Sequence, residues 1–371
     1  MSKKPLAVVI AAVALGGAAA AAGLLLTGGS GESGGAAAHE GMVEGTVWVA
    51  NEYGNSITAI DASTNQAVAT LTGIEGPHNI QAAPDSRSVW AVSGHGSLAA
   101  MIDAATYQVH GTVHTGEEPA HVVLTPDGRL AYTTNGGENT VSAIDVATME
   151  PIATIPVGEY PHGLRPSPDG KWVYVANAKG TTLSVIDTAA NEKVADVEVG
   201  RAPVQVAFAP DGAYVYATLN GENAVAKVDV ASRTLVGKVE VGTGPIQVYV
   251  SPDGKYLLAA NQGTEESPST TVSIIDTASF TVVATVESGQ GAHGVVIDPS
   301  SRHAYITNIY GDDVAVIDLA ERAVVARIPA GDGPNGISFS SLPPASAPAG
   351  QMELMMDEGA MSEDMPGMEG N

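Results

Sequence analysis

Residues 171–212 read KWVYVANAKGTTLSVIDTAANEKVADVEVGRAPVQVAFAPDG, four apolar alternating stretches separated by turn residues. The stretch is one copy of a unit that recurs from about residue 46 to 341. Its register is marked by an aspartate at Asp61, Asp103, Asp145, Asp187, Asp229, Asp276 and Asp318, in steps of 42 residues with a single step of 47. A period of this length with several short strands per copy is the signature of a β-propeller blade. Seven copies therefore predict an all-β chain, a seven-bladed β-propeller of four-stranded blades.

The copies are out of phase with the blades. The repeat region starts on the second strand of a blade and ends on a first strand, 335–340. That C-terminal inner strand is expected to join the N-terminal blade and close the ring, which removes the open sheet edges that invite aggregation. The recurring aspartate is expected to accept hydrogen bonds from the backbone of the next turn, as are Asp127, Asp169, Asp211 and Asp253 in the Pro-Asp-Gly turns. They are singletons without a ligand series, which does not suit calcium.

Composition narrows the class. The 371 residues include 43 glycines and 22 prolines, in keeping with many tight turns, and no cysteine, so disulfides, thiolate metal sites and a cysteine nucleophile are excluded. A net charge of −25 with 16 basic residues argues against nucleic acid and anionic membrane surfaces as partners, since phosphate binding needs clustered Lys and Arg. Lys3 and Lys4 precede an apolar run over 6–26, which predicts that 1–26 is a signal peptide or an N-terminal membrane anchor. A Gly/Ala-rich linker over 27–45 comes next, then the propeller over 46–341 and an acidic, Met-rich tail over 342–371 that is expected to be disordered. The propeller is accordingly expected to work outside the cytoplasm, in the periplasm, at the cell surface or secreted.

The strand ends at Asn51, Asn135 and Asn177, the Val-Ile-Asp segments such as 185–187 and the Pro-Asp-Gly turns resemble the YVTN family of bacterial β-propeller repeats. The resemblance covers all seven copies and implies the fold. Similar seven-bladed propellers include the haem d1 domain of cytochrome cd-type nitrite reductases, the copper-cluster domain of nitrous oxide reductase and the heavy chains of amine dehydrogenases. Fold likeness leaves activity to be argued from the site.

In such a blade, the loop into the inner strand and the loop between strands two and three emerge on one face, and there the copies differ. The first position after the aligned inner-strand proline is His78, Ala120, His162, Val204, Ile246, His293 and Asn335; the second is Asn79, His121, Gly163, Gln205, Gln247, Gly294 and Gly336. An imidazole-rich arc and an amide arc are thus expected at the channel mouth. Tyr53, His95 and Tyr310 belong to loops of the same face, with Glu52, Glu138, Glu222, Asp312 and Asp313, and the 47-residue step adds Glu265 and Glu266 there. Imidazoles converging with carboxylates would suit copper, zinc or iron, so His78, His121, His162, His293 and His95 are metal candidates. The competing reading is that the histidines only hydrogen-bond the loop into the inner strand.

The tail supplies Met352, Met355, Met356, Met361, Met365 and Met368, interleaved with carboxylates. Thioether sulfur selects Cu(I), and the alternative is a face that docks on a partner. No Ser-His-Asp arrangement, paired-carboxylate signature or CxxCH haem site is present, so non-enzymatic binding is favoured over catalysis. The expectation is an exported binding or scaffold protein whose mouth takes a metal ion or small ligand, with copper as the cofactor candidate. The alternatives are an oxidoreductase carrying haem d1-like or copper cofactors, and a surface protein that binds a protein partner through its acidic face.

Overall fold

The computed structural model describes residues 43–345 and 350–355. The signal or anchor segment 1–26, most of the linker, and Met356, Met361, Met365 and Met368 lie outside the described residues. No helix among the described residues is long and apolar enough to cross a membrane.

Seven antiparallel sheets form the seven blades. Blade 1 joins 46–72 to the closing strand Pro334–Ser340; blades 2 to 7 span 77–114, 119–156, 161–198, 203–240, 245–287 and 292–329. Closure is by register: Val47 pairs with Phe339, Trp48 with Ser338 and Val49 with Ile337. The middle strands are buried on both faces, as in Trp172–Asn177, because each blade packs against two neighbours. Outer strands alternate instead, as in Glu192–Glu198. The five-residue excess in blade 6 lengthens the hairpin of Tyr256–Gly263 and Pro268–Asp276 rather than forming an irregular loop.

The recurring aspartates do what the repeat implied. Asp61 Oδ1 accepts from the Ser63 amide at 2.8 Å, Asp145 from Ala147 and Thr148, and Asp318 from Ala320 and Glu321. The strand-ending asparagines clamp two elements at once. Asn177 Nδ2 donates to Thr182 and Ser184 across its own hairpin, while its Oδ1 accepts from Gly158 in the loop that leaves the preceding blade. Asn51 repeats this with Ser56, Thr58 and Gly331, tying blade 7 to blade 1.

The expectation of a disordered tail from 342 onward needs correction at its start. After the closing strand, the Ala345 amide donates to Tyr107 Oη at 3.1 Å, and Gly350–Glu353 adds a fifth, parallel strand to the outer edge of blade 1. Leu354, only 3% exposed, seats in the core between blades 1 and 2, and Met352 packs against the same core. Apolar residues every second position suffice for an edge strand, and a composition dominated by acids and prolines hides that signal. Leu354→Ala is expected to lower stability by about 2–4 kcal/mol, read as a shifted denaturation midpoint. An unchanged midpoint would mean that the strand adds no stability.

Candidate functional site

The site begins with a backbone irregularity. In blades 2 to 7 the pairing of the inner strand with its neighbour shifts register just after the first residue, for example between Pro161 and Leu164 or between Pro203 and Val206. A β-bulge of this kind frees residues from the ladder and re-aims their side chains. In blades 3, 5 and 7 a strand-two threonine fills the gap. Thr134 Oγ1 accepts from the His121 amide at 3.1 Å and donates to the His162 carbonyl of the next blade at 2.7 Å. Thr218 does the same for Gln205 and Ile246, and Thr307 for Gly294 and Asn335. Since Ile246 takes this bond as well as His162 does, holding the loop requires no imidazole.

What the bulges bring together are His78, His121 and His162 from blades 2, 3 and 4, each offering a ring nitrogen within 4.8 Å of the others. Their rings stand 4.9–5.8 Å apart between centroids. His162 Nδ1 donates to the Val204 carbonyl at 3.3 Å, which fixes its tautomer and leaves a lone pair on Nε2. His78 Nε2 lies 3.2 Å from that atom. On the other side of the ring, His78 Nδ1 meets Glu52 Oε1 at 3.2 Å, and Asn335 Nδ2 stands 3.2 Å from the same nitrogen while donating to Glu52 Oε2. With its proton on Nδ1, His78 turns a lone pair toward that of His162; with the proton on Nε2, it donates to His162.

His121 is fully buried and arranged differently. Gln205 Oε1 accepts from the Val206 amide at 2.8 Å, so Gln205 Nε2 faces His121 Nδ1 as a donor at 3.3 Å. The proton of His121 is thereby placed on Nε2, which has no partner. The glycine at 163 makes this contact feasible, because a Cβ there would lie 2.3 Å from Gln205 Oε1.

Charge follows the same plan. Burial drives His162 down to about 3, helped by the neighbouring His78 and His293, and drives His121 well below the ordinary imidazole range, helped by His162 and His78. Burial raises Glu52, but the hydrogen bond and charge of His78, with the Asn335 amide, outweigh it and bring the carboxyl to about 2. An ionised carboxylate thus backs an imidazole whose far nitrogen faces a second, neutral imidazole.

Other candidates fall outside the cluster. His293 is buried in blade 7, with Nδ1 lacking a hydrogen-bond partner, and is not among the three converging rings. His95 is exposed at the rim, its ring covering Gly76. Met352 lies on the outer edge of blade 1, across the blade from the inner strand, and Met355 is 82% exposed. Sequence reasoning placed Glu52 on this face without giving it a role and missed Gln205 as the residue that sets the His121 tautomer. The recurrence of Thr134, Thr218 and Thr307 at one repeat position was the available sign of the bulge.

The sequence profile of a family described as YNCE-like beta-propeller matches residues 86–342. No curated protein matches the chain in sequence. Among solved structures, the chain is similar to Kuenenia stuttgartiensis hydrazine synthase, at 27% identity and TM-score 0.66 over 73% of this chain and 91% of that one. A functionally unknown protein from Desulfotomaculum acetoxidans DSM 771 aligns at 17% identity and TM-score 0.71, over 80% and 99%. Dihydro-heme d1 dehydrogenase NirN in complex with DHE aligns at 14% identity and TM-score 0.59, over 79% and 74%. The last two show the fold alone.

Proposed function

This chain belongs to the YNCE-like β-propeller family, and from that footing we propose that it is an exported binding protein whose channel mouth holds a transition-metal ion, copper before others, on His78 and His162. The observation that carries the reading is the 3.2 Å separation of the two Nε2 atoms, each on a ring whose Nδ1 is held by an oxygen acceptor. Two nitrogens at about 2.05 Å from one tetrahedral ion stand about 3.3 Å apart. A carboxylate or carbonyl behind each ligating imidazole is the usual support of such a site. Imidazole ligands suit copper and zinc, and the order of divalent affinities favours copper.

His121 does not fit as a third ligand in its present hydrogen bonding, because its Nε2 carries the proton. It fits as a donor to an oxygen or anionic ligand on the ion's open side. The carboxylates around the mouth would draw cations toward it. Leu354 lies beside Gly73, at the start of the loop that leads to His78, and the methionines of the tail would supply soft ligands. The apolar segment behind Lys3 and Lys4 supports work outside the cytoplasm.

The test is equilibrium dialysis of the full chain against Cu(II) and Zn(II), with metal counted per chain. One ion is expected. His78→Ala or His162→Ala should remove it, and Glu52→Gln should weaken it by about 10–100-fold. A chain ending at Leu342 should keep the mouth ion. If His78→Ala/His162→Ala binds as the parent does, or the parent binds nothing, the reading fails. A second reading, an oxidoreductase with a haem-like group on this face, draws on the fold shared with dihydro-heme d1 dehydrogenase NirN; it requires a coloured, redox-active purified protein.

A further inference from the structure

About 10 Å along the inner strands from the histidines, at three residues' distance, the channel changes sign. A cavity of about 350 Å³ opens there, lined from all seven blades, and among its lining residues is no aspartate or glutamate. Its one charged group is Arg165, in a chain where acids outnumber bases 41 to 16.

Arg165 has no protein counter-charge among the described residues. Among the described residues its one hydrogen bond runs from Nη1 to the carbonyl of the adjacent Leu164, at 3.2 Å, and no carboxylate forms an ion pair with it. Arg302 and Arg327, in contrast, pair with Asp318 and Asp313 at 3.1 Å. A half-buried guanidinium with no carboxylate beside it, set in a concave wall that is otherwise uncharged, leaves paired donors open to an anion. The other polar groups of the lining are neutral. Tyr249 and Ser338 bring hydroxyls to the lining, and Gln81 adds a side-chain amide. The remaining wall is apolar, with Phe208, Val296 and Phe339.

We propose that this lower chamber is a second binding site, independent of the metal site, that takes a small monocarboxylate with an apolar body. The carboxylate lies on the Arg165 guanidinium, which presents paired donors matched to two carboxylate oxygens, with the Tyr249 hydroxyl beside it. The body fills the space against Phe208, Val296 and Phe339. The cavity volume falls in the range of small-molecule sites, which combine mostly apolar walls with a few placed polar groups. The acidic rim of the mouth and the cationic chamber would separate cargo by sign, cations held above and the organic anion below.

Calorimetric titration of the full chain with benzoate, in EDTA and at fixed ionic strength, tests this without involving the metal. Benzoate is expected to bind with a dissociation constant below about 1 mM, and neutral benzamide at least about tenfold more weakly. Arg165→Gln should weaken benzoate by about ten- to a hundredfold. Phe208→Ala, at a half-buried wall position that leaves the charge in place, should weaken benzoate by about tenfold and guards against an Arg165 variant that fails to fold. Benzoate and benzamide binding alike, or benzoate binding unaltered in either variant, or no benzoate heat in the parent, would overturn the proposal.

Discussion

A chain ending at Gly333 is expected to lose its cooperative unfolding transition altogether and to aggregate on expression. The cut removes only the closing strand and the tail beyond it, but that strand is the innermost member of blade 1, paired to Thr46–Asn51 along its length. Without it the inner edge of blade 1 is left with unpaired backbone groups, a template for association with other chains. Ile337 goes with it, from a core shared by blades 1 and 7, and so does Ser338, whose hydroxyl accepts from the Ala82 amide of blade 2 at 2.9 Å. Both blade-to-blade seams next to the break are therefore opened together. Net stabilities of about 5–15 kcal/mol leave no margin for such a loss. Circular dichroism melts and size-exclusion chromatography of the shortened chain check it, and a monomer with the parental melting transition would show that closure is not what holds the ring. A chain ending at Leu342 isolates the smaller contribution of the fifth strand.

Acidification should destabilise the protein steeply before any carboxylate titrates. His121, His162 and His293 are held neutral by burial, the latter two down to about 3, whereas the unfolded chain takes up these protons near 6.5. The folded values are depressed, so the stabilisation is complete above 6.5 and is lost as pH falls from there toward 3. Each such group costs about 1.4 kcal/mol per pH unit inside that window. Glu52, depressed to about 2, adds a loss of the same sign between 4.5 and 2. The window from 6.5 to 4.5 thus belongs to the histidines alone. Urea denaturation at pH 7.0, 5.5 and 4.5 should show the fall, and His162→Gln or His293→Gln should each reduce its slope by about one proton's worth. Equal slopes in parent and variants would place the acid sensitivity elsewhere.

The same neutrality bears on the metal reading. An imidazole that stays unprotonated at His162 keeps its Nε2 lone pair ready at any physiological pH, so proton competition at that ligand does not limit uptake. Glu52, ionised under the same conditions, stands behind His78. Whether the proton on His78 sits toward Glu52 or toward His162 is the one choice left open inside the cluster, and a bound cation selects the first.

The repeat told most of the architecture. A fixed aspartate every 42 residues reports a local hydrogen-bonded turn, and local bonds are written within a few residues of sequence, so blade number, strand order and closure by 335–340 could all be read without coordinates. The histidine-bearing positions were legible as well, since they are where the copies diverge. Which of them meet was decided by the tertiary structure. His78 and His162 lie 84 residues apart and come together only because the ring curves and a bulge in each inner strand re-aims its first residues. His293 occupies the equivalent position in blade 7, where blade 1 with its Asn335 separates it from His78, and stays outside the three converging rings, while His121, one position further along, joins the cluster because residue 163 has no side chain to bar it from Gln205. Tail residues 350–354 escape a sequence reading for a related reason, as an edge strand and a seated leucine depend on the surface they meet more than on their own composition. The sequence determined the ring, through contacts between near neighbours that every copy repeats; the structure alone decided the mouth and the chamber below it, because side chains from different blades share those spaces and no period in the chain records their distance.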